Sequence, residues 1–599
     1  MGLMSRDKIV RIGGASAAWG DSSLATPQLL AAPRIDYLVY DYLAETTMAI
    51  LARQKQKNPQ MGYAHDFVTG AIGENLQAIA QDGVKLVANA GGLNPAGCAQ
   101  AIEKLARDAG VSLKVAAVVG DDVMAEIPAL RAAGARCFES GVPLPESILS
   151  ANAYTGAGGI AKALALGAQV VVTGRCVDSA VVLGVLIHEF GWGWNDFERL
   201  AQGSLAGHII ECGAQATGGL YTDWEQVPGW DRIGYPILEC AADGTFMVTK
   251  PAGTGGLVRP AAVAEQVLYE IGDPASYVLA DVICDFRHVA VEADGEERVR
   301  VSGARGRAPT PDYKVSITYE RDFQIEVLQM IRGLKAVAKA RKTAEAFLAR
   351  TRRMMAERGY ADYAETRVEY LGAESMYGPH GRIRDTREVV LRIAARHVTR
   401  AALECLRKEV ASAGVSMGPG TRGHFGGRPG IRPCIRHFAT LVPKQRVQLK
   451  VLLEGRETPV QVAAPGALPA PAAPLAAGGV ADAPVNPVTV PLVRIAHARS
   501  GDKGNTSNIG VIARKAEYLP WIRRSLTPEA VGRYFAHLMT GNRVERHELP
   551  GLNALNFLLH DALAGGGTSS LSSDPLGKSY AQILLDFPVQ VPASALQDV

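Results

Sequence analysis

His208 and Glu211 stand three residues apart in the run Gly207-His208-Ile209-Ile210-Glu211-Cys212-Gly213. On a helix that spacing puts imidazole and carboxyl on one face, as a base with its orienting acid or as two metal ligands. A histidine satisfied within the core accounts equally well for it. Asp41, Asp178, Arg175 and Lys503 follow or interrupt other apolar runs. A reaction that passes through an oxyanion needs a base to move a proton and cations or amides to hold the developing charge. His208, Asp41 and Asp178 are therefore the candidate bases. Arg175, Lys503 and the amides at Gly13-Gly14 and Gly91-Gly92 are the candidate anion binders. The run 498–508 packs cations, a carboxylate, amides and hydroxyls together, so Ser500, Asp502, Asn505 and Asn508 join the binding set; a hydrogen-bonded turn is the plainer alternative. A second Gly-rich run, Lys250-Pro251-Ala252-Gly253-Thr254-Gly255-Gly256, offers Thr254 and Gly255 to an anion, or is merely a connector.

These residues need a scaffold that brings distant positions together. Apolar, β-branched runs at 9–12, 35–40, 85–88, 113–119 and 170–173 alternate with helical stretches at 43–56, 71–81, 96–109 and 158–166. The alternation predicts an α/β fold, a mainly parallel, doubly wound sheet whose ligands bind beyond the carboxyl ends of the strands. Those ends carry Gly13, Gly14, Ser16 and Asp21, then Asp41, then Asn89, Gly91, Gly92 and Asn94, then Asp121 and Asp122, then Arg175 and Asp178. The large domain is expected over 1–463, with a division into two lobes near 200–260, further strands at 277–284, 314–318 and 448–453, and helices at 322–349 and 389–413. The Ala/Pro/Gly-rich segment 464–487 is too poor in large apolar residues to fold alone and reads as a linker. Residues 488–599 form a small α+β (ferredoxin-like) domain, with strands at 493–497, 509–512 and 580–587 and helices at 528–539 and 552–563.

Composition excludes several classes. The net charge of +3 and the lack of a basic run argue against a nucleic-acid partner. No apolar run approaches the length of a membrane span and the N-terminal segment lacks a signal core, so a cytoplasmic protein is expected. The 8 cysteines contain no CxxC pair, which fits reduced thiols. Gly577-Lys578-Ser579 ends like a phosphate-binding loop, but Ser572 occupies the place of the leading glycine and a strand is expected to follow. No required cofactor or metal is expected.

The blocks Val10-Arg11-Ile12-Gly13-Gly14-Ala15-Ser16, Trp19-Gly20-Asp21-Ser22, Asp41-Tyr42-Leu43-Ala44-Glu45 and Asn89-Ala90-Gly91-Gly92-Leu93-Asn94-Pro95 resemble the acyclic terpene utilisation family, AtuA. Thr173-Gly174-Arg175-Cys176-Val177-Asp178-Ser179 and the 207–219 region are similar to later blocks of that family. The Ser500-Gly501-Asp502-Lys503-Gly504-Asn505 run resembles the AtuA-like domain often fused behind it. The resemblance implies a bacterial catabolic setting in which citronellol- and geraniol-type acids are degraded through CoA thioesters. It brings no catalytic residues with it. The expected function is an enzyme acting on a branched carboxylic acid or its acyl-CoA thioester, by hydration/dehydration or carbon–carbon lyase chemistry. CoA enters only as part of the substrate, and a homo-oligomer is expected. Two alternatives stand beside it: a non-catalytic subunit or scaffold, and a metal-dependent hydrolase using Asp121, Asp122, His208 and Glu211.

Overall fold

The computed structural model describes residues 8–424, 427–461, 472–473, 475, 478–567 and 569–596. The first strands are β1 (Ile9–Gly14), β2 (Tyr37–Tyr40), β3 (Lys85–Ala88), β4 (Val115–Val119), β5 (Ser150–Ala153) and β6 (Val170–Thr173). All but β5 pair in parallel, in the order β1-β2-β3-β6-β4. Their sequences are continuous apolar runs because both faces are covered. Ile12, Val39 and Val171 meet the helices Ala180–Phe190 and Phe197–Ile210 on one side, while Leu38, Leu86 and Val172 meet the helix Pro95–Asp108 on the other.

The sheet is mixed, which corrects the expectation of a mainly parallel, doubly wound one. β7 (Ile237–Ala241), β8 (Phe246–Thr249) and the strands Val299–Ser302 and Ala290–Ala293 extend it antiparallel beyond β1. Lys450–Leu453 and Arg456–Pro459 extend it beyond β4, making an 11-stranded sheet. Antiparallel neighbours need only a tight turn, as at Gly244 (φ 95°) between β7 and β8, whereas parallel ones need a crossover. The chain through 200–260 continues this sheet into β7 and β8 rather than changing lobes.

The change of sheet comes elsewhere. β5 and the strand Asp312–Arg332 build a second, antiparallel sheet with Glu365–Leu371, Glu388–His397, Thr421–His424 and Arg432–Pro443. The helices expected at 322–349 and 389–413 are thus each half strand: the helices are Ala336–Glu357 and Arg400–Ser416. In 322–332 the alternation of Ile325, Val327, Gln329 and Ile331, all buried, is a two-residue period, and the paired strand Glu388–His397 captures it.

The small domain carries a four-stranded antiparallel sheet in the order Ala496–Lys503, Thr506–Ala513, Ala554–Leu559, Val544–Leu549. Segment 552–563, expected as a helix, forms the central strand Ala554–Leu559; every residue of it is buried, and a short fully buried run has no telling period. Segment 580–587, expected as a strand, begins with the helix Tyr580–Leu584, and the closing strand is Pro588–Pro592, paired with Pro487–Pro491. The helix at 528–539 stops at Tyr534, with Thr527 as its cap through Ala530 N–H (3.2 Å). Much of the linker lies outside the described residues. No described helix is long and apolar enough to cross a membrane.

One face of the small sheet packs on its own helices and the other on the large domain. Asn508 is the polar anchor of that contact. Its Nδ2 donates to Leu268 O (2.7 Å) and Asn556 Oδ1 (3.0 Å), and its Oδ1 accepts from Glu270 N–H (2.9 Å). Asn508→Leu leaves several buried polar groups unpaired, at about 1–3 kcal/mol each. It should lower the thermal midpoint and expose the interface to proteolysis; an unchanged midpoint would contradict the anchoring role.

Candidate functional site

The parallel strand ends meet along one rim, and the small domain of the same chain closes over it. Between them lies a cavity of ≈ 350 Å³. Six sequence candidates line it: Asp41, Arg175, Asp178 and Glu211 from the large domain, Asp502 and Lys503 from the small one.

Arg175, after β6, is only 2% exposed. Its backbone N–H donates to Asp121 Oδ2 (2.8 Å), its Nη1 donates to Asp178 Oδ1 (2.6 Å), and its guanidinium stacks 3.9 Å from the Tyr154 ring centroid. Burial opposes the charge, but Asp178, Tyr154 and Glu45 hold the guanidinium firmly protonated. Tyr154 follows β5; its N–H donates to Lys314 O (2.8 Å) and its hydroxyl to Glu45 Oε1 (2.8 Å). Burial would raise the Glu45 carboxyl, yet Lys314, Arg175 and that hydroxyl hold it far below the usual carboxylate range. His437, held by Ser316 Oγ, is pushed down to about 4, chiefly by burial. It is neutral at pH 7.

Asp41 behaves in the opposite way. Asn89 Nδ2 donates to its carboxylate, while Asn89 Oδ1 accepts from Tyr42 N–H (2.7 Å) and Ser16 Oγ donates to Asp41 O (3.1 Å). Burial, then the nearby Asp178 and Glu211 charges, lift the Asp41 carboxyl well above its ordinary value. Burial also raises Glu211, against the pull of His208, whose Nδ1 lies 3.2 Å from Glu211 Oε1. His208 sits behind Glu211, outside the cavity lining and beside Tyr277 and Phe286; its Nε2 has no partner among the described residues.

Lys503 supplies the opposing charge. Its Nζ lies 3.4 Å from Tyr277 OH, with no carboxylate in ion-pair range among the described residues. Desolvation within the cleft disfavours the ammonium, although the residue as a whole is exposed, and Tyr277, Glu270, Asp178 and Glu211 keep it protonated. Asp502 is raised to about 6 by burial and Glu270, while Lys578 bridges Glu270 Oε1 (2.6 Å) and Asp502 Oδ1 (3.0 Å).

Several candidates have structural duties instead. Gly13 and Gly14 lie inside β1: Gly14 N–H donates to Pro236 O (2.9 Å), and a Cβ on Gly14 would come 2.8 Å from Ile210 O, so these amides hold no anion. Gly91 and Gly92 allow close packing on Thr173 O, Pro95 and Leu51. Asn94 caps the helix Pro95–Asp108 through Gly97 N–H (3.0 Å). Asp21 accepts from Ala17 N–H and from Tyr235 OH (2.9 Å). Asp121 supports Arg175, and Asp122 accepts from Met124 N–H (3.0 Å) in a turn. Thr254 Oγ1 donates to Pro251 O (2.6 Å) and Gly255 packs on Gly229, both away from the cavity. Ser500 is buried and donates to Gly577 O (2.7 Å); Asn505 accepts from Gly565 N–H (2.7 Å); Asn508 is the domain anchor. Run 498–508 is therefore a β-hairpin turning at Gly504 (φ 62°), not an open loop. The hydrolase set does not assemble: among the described residues no group of three or more His, Cys, Asp or Glu side chains could hold a metal.

Glu45 stands with Asp41 at the end of the second strand yet is not among the candidate site residues, and neither are Tyr154, Lys314, His437, Glu270 and Lys578. Lys578 does carry a signal, the Gly577-Lys578-Ser579 run, which the expectation of a following strand disfavours as an anion site. A helix follows, and the lysine lines the cavity. Lys314 and His437 come from the second sheet, and nothing local marks them.

A family model described as the acyclic terpene utilisation family protein AtuA matches residues 10–453, and one for the AtuA ferredoxin-like domain matches 490–590. The chain belongs to the AtuA family. Its two matched regions are the two bodies whose contact encloses the cavity, and the family description places it in acyclic terpene utilisation, a catabolic setting. No curated protein and no solved structure matches the chain.

Burial lifts Asp121 from 3.8 to about 6, despite the N–H bonds from Arg175 and Asn152. The folded state keeps this proton between pH about 4 and 6, where the unfolded chain has lost it. The stability it contributes is therefore full below that window and lost as pH rises through it, by about 3 kcal/mol. Asp121→Asn cannot titrate, so its stability relative to the parent should rise by that order across the window in urea unfolding. A pH-independent difference would refute the shift.

Proposed function

We propose that the protein is a cytoplasmic catabolic enzyme acting on a branched carboxylic acid or its acyl-CoA thioester, by hydration/dehydration or carbon–carbon lyase chemistry. The observation that carries this reading is the meeting, in one partly open cavity, of raised carboxyls with the Lys503 ammonium, which has no carboxylate partner among the described residues. Asp41 and Glu211 are carboxyls whose surroundings favour the protonated form, so one can protonate a leaving hydroxyl while the other, once ionised, takes a proton from the carbon beside the carbonyl. Lys503 faces the place where charge would build on the carbonyl oxygen, and Arg175, braced by Asp178 and Tyr154, supplies a second fixed positive charge. Retro-aldol cleavage makes the same demands, with the proton taken from a β-hydroxyl. His208 positions Glu211.

Lys503→Met and Asp41→Asn should each lower kcat/KM by about 10²–10³-fold, the cost of losing one oxyanion donor or one acid–base group. The assay follows hydration of branched enoyl-CoAs and cleavage of branched β-hydroxyacyl-CoAs. Parent-like turnover in both variants would remove the assignment. Tight thioester binding by the parent with no product would instead make the protein a binding subunit.

A further inference from the structure

A second cavity, ≈ 790 Å³, opens at the same domain junction. Its walls differ in kind from those of the charged cleft. Leu220, Tyr221, Trp224, Trp230, Ile233 and Met376 give it an apolar lining. Leu220, Trp224 and Trp230 are 67%, 53% and 61% exposed, and the two indoles meet edge to face at 5.8 Å. Large apolar side chains gathered at a concave, exposed place mark a binding site more often than a scatter of single ones does. Leu220 also has φ 60°, a left-handed backbone that bulky residues rarely adopt, and it presents its side chain at this opening.

The two cavities share a wall. Lys578 lines both, its ammonium bonded to Glu270 and Asp502 on the cleft side. Beside it, Arg499 lines the apolar cavity and donates to Leu220 O (3.1 Å) and to Gln215 Oε1, while Gln215 lines the cleft. An apolar cavity abutting a charged one across a lysine and an arginine fits a ligand with a hydrocarbon chain at one end and an anionic or acyl head at the other.

We infer that the Trp224/Trp230 cavity is the binding site for the hydrocarbon chain of the ligand whose head group occupies the charged cleft. The inference rests on the proposed function for the head group but adds a separate site. Chain length would then be read by the large domain's 218–233 segment together with the face of the small domain that carries Arg499 and Lys578.

The test uses the full chain and follows indole emission during titration with straight-chain carboxylates from butanoate to dodecanoate and with dodecanol. Affinity should rise by about 3- to 4-fold per methylene until the cavity is filled, with a blue shift of the emission. Trp224→Ala and, separately, Leu220→Glu should flatten that series. The wild-type series alone decides the matter if either variant misfolds. Acids that bind without a chain-length trend would overturn the inference and leave the proposed function standing. Dodecanol binding as tightly as dodecanoate would keep the cavity and overturn the charged-head reading. A flat series with a changed oligomeric state in Leu220→Glu would make the indole patch a contact between copies of this chain, and would also overturn it.

Discussion

A guanidinium buried to 2% exposure is costly unless its charge is answered, and Arg175 organises the rim on that condition. Asp178 takes one side of the fork, Tyr154 takes the face, and Asp121 holds the backbone behind it. Each comes from a different element. Asp121 follows β4, Tyr154 follows β5 in the second sheet, and Arg175 follows β6 in the first. The charge therefore staples the two sheets together at the place where their strands end.

The same demand sets the electrostatics of the cleft. Glu45 and His437 sit on the cationic side, so the carboxyl stays charged and the imidazole neutral. Asp41 and Glu211 sit across from it, and burial first, then the Asp178 charge, shifts both toward the protonated form. Two carboxyls of one chemical type, Glu45 and Glu211, move in opposite directions: burial lifts Glu211 against the pull of His208, whereas the cations and hydroxyl around Glu45 outweigh the burial that would lift it. That divergence separates residues suited to move a proton from those suited to hold a position.

The small domain completes the site rather than merely covering it. Asn508 and Asn556 seat its sheet on the carbonyls of Leu268, Ile271 and Gly272, and this docking carries Lys503 and Lys578 over the carboxyls. Without that contact the cleft would have an excess of negative charge, opposed from the large domain by Arg175 and Lys314. The apolar cavity beside it exists for the same reason, since Arg499 and Lys578 belong to the small domain while Trp224 and Trp230 belong to the large one.

Much of the scaffold was legible in the chain. Five apolar, β-branched runs separated by helical stretches announced the parallel core, and the polar residues placed just after them, Asp41, Arg175 and Asp178, do meet in one cavity. Local physics was enough there, because a strand buried on both faces must be apolar throughout and must end in residues that turn. What pairs with what was not local. Segments 322–332, 389–397 and 554–559 became strands because partners far along the chain supplied their ladders. Lys314, His437 and Lys578 entered the site only when the second sheet and the small domain closed on the first. Side-chain type and spacing named the groups able to carry charge; proximity across the domain contact decided in which direction their proton affinities move, because burial and neighbouring charge act through space and not along the chain.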